Sequence, residues 1–319
     1  MRKNMTDYTA LIENSPAWAA LSGNIAGGNI SHAYLLSGSD ALALDALGTM
    51  FARKICRPSD ITYLPAAAPR SALHASQSKV LTEDINRLVS EAALLPFDGD
   101  RKAYVVRRAE TMTDQAQNKL LKTLEEPPPS VVIVLCCAGE ERLLRTVRSR
   151  TRKIAVNPFS YDEIYGCLVK NGAAGETASF AAALSGGSLA AADGIINDPR
   201  LPALYGLVMR VFSEMKKSAD LLPFSAALAR EKEYAGVILD YFLYAARDIM
   251  AAASGARKLI LTKSRENDIM EISRGYTPGA AAVIIERINY AKKRLQFNCN
   301  LQSVIDELLF AILEAKSKA

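Results

Sequence analysis

The chain has 319 residues, half of them hydrophobic and 23% charged, with a formal net charge of +5. That length exceeds one ordinary compact core and predicts two or three domains, and the composition excludes a disordered or fibrous chain. The mild basic excess is compatible with a nucleic-acid partner without requiring one.

Cys56, Cys136, Cys137, Cys167 and Cys299 show no spacing of a disulfide framework or a metal site. Cys136 and Cys137, adjacent in an apolar run, read as small buried hydrophobes. The N-terminus MRKNMTDYTA has no apolar signal core. No run approaches the roughly 18 apolar residues that span a bilayer. A reduced, cytoplasmic setting is therefore expected.

In chain order, AYLLS (33–37) reads as a strand ending at Gly38, and the Ala/Leu-rich stretch from Ala41 to Lys54 as a helix. Residues 57–79, with Pro58, Pro65 and Pro69, read as an irregular connection. From Thr82 to Leu95 the apolar spacing of Ile85, Leu88, Val89 and Ala92 is helical. AYVV (103–106) is a short strand. Thr113 is suited to cap a helix whose Ala116, Leu120 and Leu124 share one face, and Pro127-Pro128-Pro129 ends it. VVIVLCC (131–137) is the continuous apolar run of a strand buried on both faces of a parallel sheet. A helix-like stretch then leads to Ser149-Arg150 and the strand KIAV (153–156).

This alternation predicts a parallel, doubly wound α/β domain over residues 1–157. After Asn157-Pro158 the pattern is helical throughout. A small helical unit over 158–200, with a turn at Gly186-Gly187, precedes longer amphipathic helices over 201–319, the last from Leu301 to Lys316.

The strand–glycine–helix opening is where a nucleotide-binding loop, G-x-x-x-x-G-K-[ST], would sit. Counted from Gly38, the second glycine slot holds Ala43, the lysine slot Leu44 and the hydroxyl slot Asp45. Leu44 removes a cation from beside the phosphates, and Asp45 adds an anion there. The helix N-terminus retains only a weak attraction for anions. The strand AYVV, which would run into magnesium-binding acids in an active ATPase, runs instead into Arg107-Arg108, with Glu110 beyond. Arginine side chains cannot ligate a metal ion. No cofactor and no metal are expected.

The segment AETMTDQAQNKLLKTLEEPPPSVVIVLCC, followed by LLRTVRSRT, closely resembles the clamp-loader branch of the AAA+ ATPases. The likeness lies in Ala109–Met112, Asn118–Pro128 and Thr146–Thr151, and is supported by Ser31-His32-Ala33-Tyr34-Leu35, by Leu184-Ser185-Gly186-Gly187-Ser188, and by Asn298-Cys299-Asn300 with Asp306 and Leu308-Leu309. It implies an AAA+ P-loop domain over 1–157, a helical lid over 158–200 and a helical collar over 201–319. The altered loop separates the chain from gamma/tau subunits, which keep the lysine, and resembles delta-prime-type subunits. Only Cys56, with His74 nearby, remains of the four cysteines many members use for zinc, so no zinc module is expected. Thr151 stands where the family's Ser-Arg-Cys motif ends in cysteine.

The resemblance implies further roles. Arg150 would act in trans as an arginine finger on a neighbour's ATP, supported by Ser149. Gamma/tau and delta subunits would be its partners, with the sliding clamp and primed DNA reached through the complex. The apolar residues Leu301, Ile305, Leu308 and Leu309 of the collar would join subunits or fill the chain's own core, and both can hold for different faces of one helix. Arg101, Lys102, Lys119 and Lys122 would either face DNA phosphates or be ordinary surface cations, and no DNA site is assigned to them. The alternatives are an ATP-hydrolysing, gamma/tau-like member of the same family and a free-standing nucleic-acid-binding protein.

Overall fold

The structure, a computed structural model, describes residues 6–66, 79–297 and 299–317. Pro69, His74 and Asn298 lie outside the described residues. Compactness divides the chain into two units: residues up to Gly172 together with Ser185–Asp193, and Ala173–Leu184 together with the residues from Gly194 on.

The first unit begins with two helices, α1 (Thr9–Glu13) and α2 (Pro16–Ala26), and continues β1 (Ala33–Gly38), α3 (Ala41–Ile55), β2 (Ile61–Leu64), α4 (Thr82–Ala92), β3 (Lys102–Val106), α5 (Asp114–Glu125), β4 (Val131–Cys137), α6 (Arg145–Arg148), β5 (Arg152–Val156) and α7 (Tyr161–Lys170). The five strands form one parallel sheet in the order β2-β3-β4-β1-β5. All seven residues of β4 are buried, as a strand covered by helices on both faces requires. β5, at the edge, alternates, with Ile154 and Val156 inward and Arg152 and Lys153 exposed.

β2 is an addition to the sequence reading, which left 57–79 irregular. Four residues before a proline carry too little period to declare a strand. The ladder to β3, with Ile61 opposite Ala103 and Leu64 opposite Val106, makes it one. Where the period was clear, the elements stand as expected. Thr113 Oγ1 accepts from the Ala116 amide at 3.2 Å, and Ala116, Leu120 and Leu124 are buried on the core face of α5.

α4 stops at Ala92, short of the expected Leu95, and Leu94 and Leu95 are exposed. Its end is capped by Lys102, whose Nζ donates to the carbonyls of Glu91 and Leu94. A cation at a helix C-terminus answers both the unpaired carbonyls and the dipole. Lys102 is therefore buried and engaged, which fits neither of the two readings left open for it, a phosphate contact or an ordinary surface cation. The predicted turn at Gly186-Gly187 is present, both residues having positive φ. At Gly187 a Cβ would also come within 2.7 Å of the Phe159 carbonyl oxygen, so only glycine fits.

The helix α9 (Leu189–Asn197) begins in the first unit. The second unit contains α8 (Gly175–Leu184), α10 (Arg200–Glu214), α11 (Leu221–Arg230), α12 (Ala235–Ala253), α13 (Glu266–Ser273), α14 (Pro278–Gln296) and α15 (Leu301–Ser317). α12 is its centre: Ile238, Phe242, Ala245 and Ile249 recur at helical spacing and are fully or almost fully buried, packed on α10, α13 and α14. Of the four apolar collar residues, Ile305, Leu308 and Leu309 are buried in this unit's own core, where α15 packs on α11 and α14. The core-filling reading therefore holds for those three, and on the same helix Phe310 is exposed.

Ahead of α10, Asp198 accepts from the Arg200 amide at 3.0 Å, from Arg200 Nε at 3.2 Å and from the Tyr234 hydroxyl at 2.6 Å. Partial burial pushes its carboxyl up, but these donors prevail and hold it down to about 2. Because the folded value is depressed, the stabilisation is present above the ordinary carboxylate range near pH 4 and is lost as pH falls through about 2. Asp198→Asn is accordingly expected to flatten the acid limb of stability. Urea midpoints measured between about pH 4 and about pH 2 check this, and a slope identical to that of the parent chain would contradict it.

Candidate functional site: the turn after the first strand and an arginine turn

In an open parallel sheet, ligands sit beyond the carboxyl ends of strands, where the strand order reverses. Here that edge is formed by the ends of β1, β3 and β4. Gly38 ends β1 opposite Val156 of β5. A Cβ at Gly38 would collide with the Val156 carbonyl oxygen and lie 3.1 Å from its Cβ. The glycine is thus required by the neighbouring strand, whatever binds beyond it.

Asp40 caps α3, its Oδ1 accepting from the amides of Leu42 at 3.0 Å and Ala43 at 3.3 Å. Ala43 and Leu44 are buried, so the position expected to hold a phosphate-binding lysine faces the core. The Leu44 carbonyl accepts from Cys136 Sγ at 3.3 Å. Cys136 and Cys137 are both buried, as their apolar run implied.

Asp45 pairs with Arg107, joining α3 to the residue just past β3. The pair is largely enclosed, with the Arg107 side chain 10% and the Asp45 side chain 23% exposed. The guanidinium also lies over the Tyr63 ring at 4.4 Å, and the Arg107 amide donates to the Leu64 carbonyl at 2.7 Å. Burial pushes the Asp45 carboxyl up, with Arg107 opposing the shift. Arg108 adopts a left-handed backbone and lies 3.5 Å from Glu110. Glu110 in turn accepts from the Ala138 amide at 3.0 Å, tying the end of β3 to that of β4. Between Leu44, Asp45, Arg107, Glu110 and Cys136 about 10 Å³ remains. That is room for about one water, whereas small-molecule sites run to several hundred Å³.

The structure therefore gathers Gly38, Ala43, Leu44, Asp45 and Arg107 at one edge. Asp45 and Arg107 form an ion pair across the space that would lie between a loop hydroxyl and a metal-binding acid. No group of three or more His, Cys, Asp or Glu side chains among the described residues is placed to hold a metal ion.

Arg150 stands elsewhere, in the turn between α6 and β5, and does not line that cavity. Its Nη1 donates to the Thr146 carbonyl at 3.0 Å, and its Nη2 lies 2.6 Å from Glu125 Oε1 at the end of α5. Ser149 Oγ donates to the same Thr146 carbonyl at 3.1 Å and lies 3.5 Å from Arg150 Nη1. Both partners are substantially exposed. Lys119, another candidate cation, donates to Asn86 Oδ1 at 2.8 Å.

Sequence reasoning missed Asp40, Glu110 and the Tyr63 ring. An aspartate directly before an Ala/Leu run is an N-cap signature, so Asp40 was within reach. The roles of Glu110 and Tyr63 depend on where β2 and β4 place them.

A parallel sheet with its first strand between the fourth and fifth, and a strand–turn–helix over its carboxyl edge, gives the AAA+ P-loop fold. Residues 13–160 match the family described as "DNA polymerase III, delta subunit". That match covers a little under half of the chain. The chain is 24% identical to DNA polymerase III subunit delta' of Bacillus subtilis over 238 residues, 72% of this chain and 71% of that one. It is 27% identical to the gamma subunit of Buchnera aphidicola over 47% of this chain and 44% of that one. It is 26% identical to the tau subunit of Escherichia coli over 46% of this chain and 24% of that one. The chain thus spans less than half the length of these gamma and tau relatives.

Proposed function

We propose that this chain is a delta-prime-type subunit of the DNA polymerase III clamp loader, with no ATP hydrolysis of its own. It works beside gamma/tau and delta subunits in the cytoplasm and helps place the sliding clamp on primed DNA. Residues 1–157 serve as the nucleotide-fold domain, 158–200 as the lid and 201–319 as the collar. The observation that carries this reading is the Asp45–Arg107 pair beside Leu44. A magnesium–triphosphate would have to break an enclosed ion pair and settle without the lysine that normally meets its charge. Separating such a pair costs about 3–5 kcal/mol when one partner is left uncompensated.

Arg150 is the group the chain offers to a neighbour. Its guanidinium stays charged and presents two parallel donors to phosphate oxygens. Its present partner, Glu125, is exposed. Exposed pairs are worth about 0–1 kcal/mol, so exchanging Glu125 for a phosphate is inexpensive. Ser149 and Arg150 share the Thr146 carbonyl, which supports a positioning role for Ser149.

Calorimetric titration of magnesium–ATP into the purified chain tests the proposal. No saturable binding is expected up to millimolar nucleotide. Micromolar affinity would instead favour a gamma/tau-like ATPase.

A further inference from the structure

The carboxylate of Asp40 serves two helices, and only one of them is its own. Oδ1 accepts from Leu42 and Ala43 in the first turn of α3. Oδ2 accepts from the amides of Leu189 and, at 3.4 Å, Ala190 in the first turn of α9, some 149 residues away. An N-cap side chain ordinarily answers the free amides of its own helix alone. Here two positive helix ends converge on a single charge, and Asp40 is 5% exposed. Burial pushes its carboxyl up, and all four amides pull it down.

A phosphate at a helix N-terminus is held by the same kind of donor. We infer that Asp40 is a built-in substitute for such a phosphate, fastening the 185–193 segment to the strand–helix turn without any ligand. Other ties also hold that segment, whose Leu189 and Ala192 are fully buried. Phe159 N donates to the Gly187 carbonyl at 2.9 Å, and Gly187 N to Ser185 Oγ at 3.3 Å. Neither tie reaches the turn at Asp40. Holding the segment therefore requires no nucleotide and does not change with nucleotide supply. This inference stands on the carboxylate geometry and is independent of the role of Arg150.

Hydrogen–deuterium exchange on the full chain tests it with two variants. In Asp40→Asn the amide oxygen still caps α3, asparagine being as good an N-cap as aspartate, but an NH2 group faces Leu189 and Ala190. Exchange at 189–190 is expected to rise about tenfold or more, with 42–44 near the parent rate. In Asp40→Ala both groups of amides lose protection, and inorganic phosphate at high millimolar concentration restores it at 189–190 while leaving the parent chain unaffected. Unchanged exchange at 189–190 in the asparagine variant, or acceleration spread evenly through the unit, overturns the fastening role. Failure of phosphate to protect the alanine variant overturns the substitution for phosphate.

Discussion

In a clamp loader reconstituted with gamma/tau and delta, Arg150→Ala is expected to slow hydrolysis at the adjacent ATP site by about 10³- to 10⁵-fold, the range found for arginine fingers. Three decades correspond to about 4 kcal/mol of transition-state stabilisation. That is a plausible yield for a forked, permanently charged donor placed on a transferring phosphoryl group. The subunit itself is expected to assemble normally, because the side chain is exposed and its pair with Glu125 contributes little to folding. Arg150→Lys keeps the charge and loses the fork, so its rate should fall between the two. Because the ring holds other ATP sites, the readout is single-turnover hydrolysis with assembly checked by size. Parent-like rates at every site in the alanine variant would remove Arg150 from the mechanism.

The largest stability effect is expected at Arg107. Arg107→Ala leaves the Asp45 carboxylate enclosed without its partner and removes the guanidinium from the Tyr63 ring. Stranding one member of a buried pair costs about 3–5 kcal/mol. Residual exposure of Asp45 puts the expectation near the lower end, about 3 kcal/mol. A paired replacement, Asp45→Leu with Arg107→Met, should recover most of the loss, since apolar groups of similar volume often match or exceed a buried ion pair. Denaturant midpoints for the two single variants and the double variant measure this coupling. A loss under about 0.5 kcal/mol for Arg107→Ala, the range of an ordinary surface change, would show that the pair does not hold the altered loop together.

The two effects describe one exchange of roles. The turn after β1 is occupied by the chain's own charges, Asp45 with Arg107 and Asp40 with four amides. Arg150, the cation proposed to meet a neighbour's phosphate, stands on a different turn, between α6 and β5. On the proposed function, such a subunit would offer its neighbour a fixed surface rather than a nucleotide cycle.

By itself the sequence determined four of the five strands, the helix faces and the leucine at position 44, because these are written in short-range period, capping residues and residue type. The run of Val131–Cys137, the Thr113 cap and the proline stop of α5 are all local signals. Only the tertiary structure decided that Ile61–Leu64 is a strand, that Lys102 caps α4 and that three apolar collar residues fill their own core. It also decided that Arg107 meets Asp45 across 62 residues and that Asp40 reaches Leu189 across 149. Such pairings have no local signature. They exist because the folded backbone brings distant donors and acceptors together out of water, where a charge left unpaired is costly.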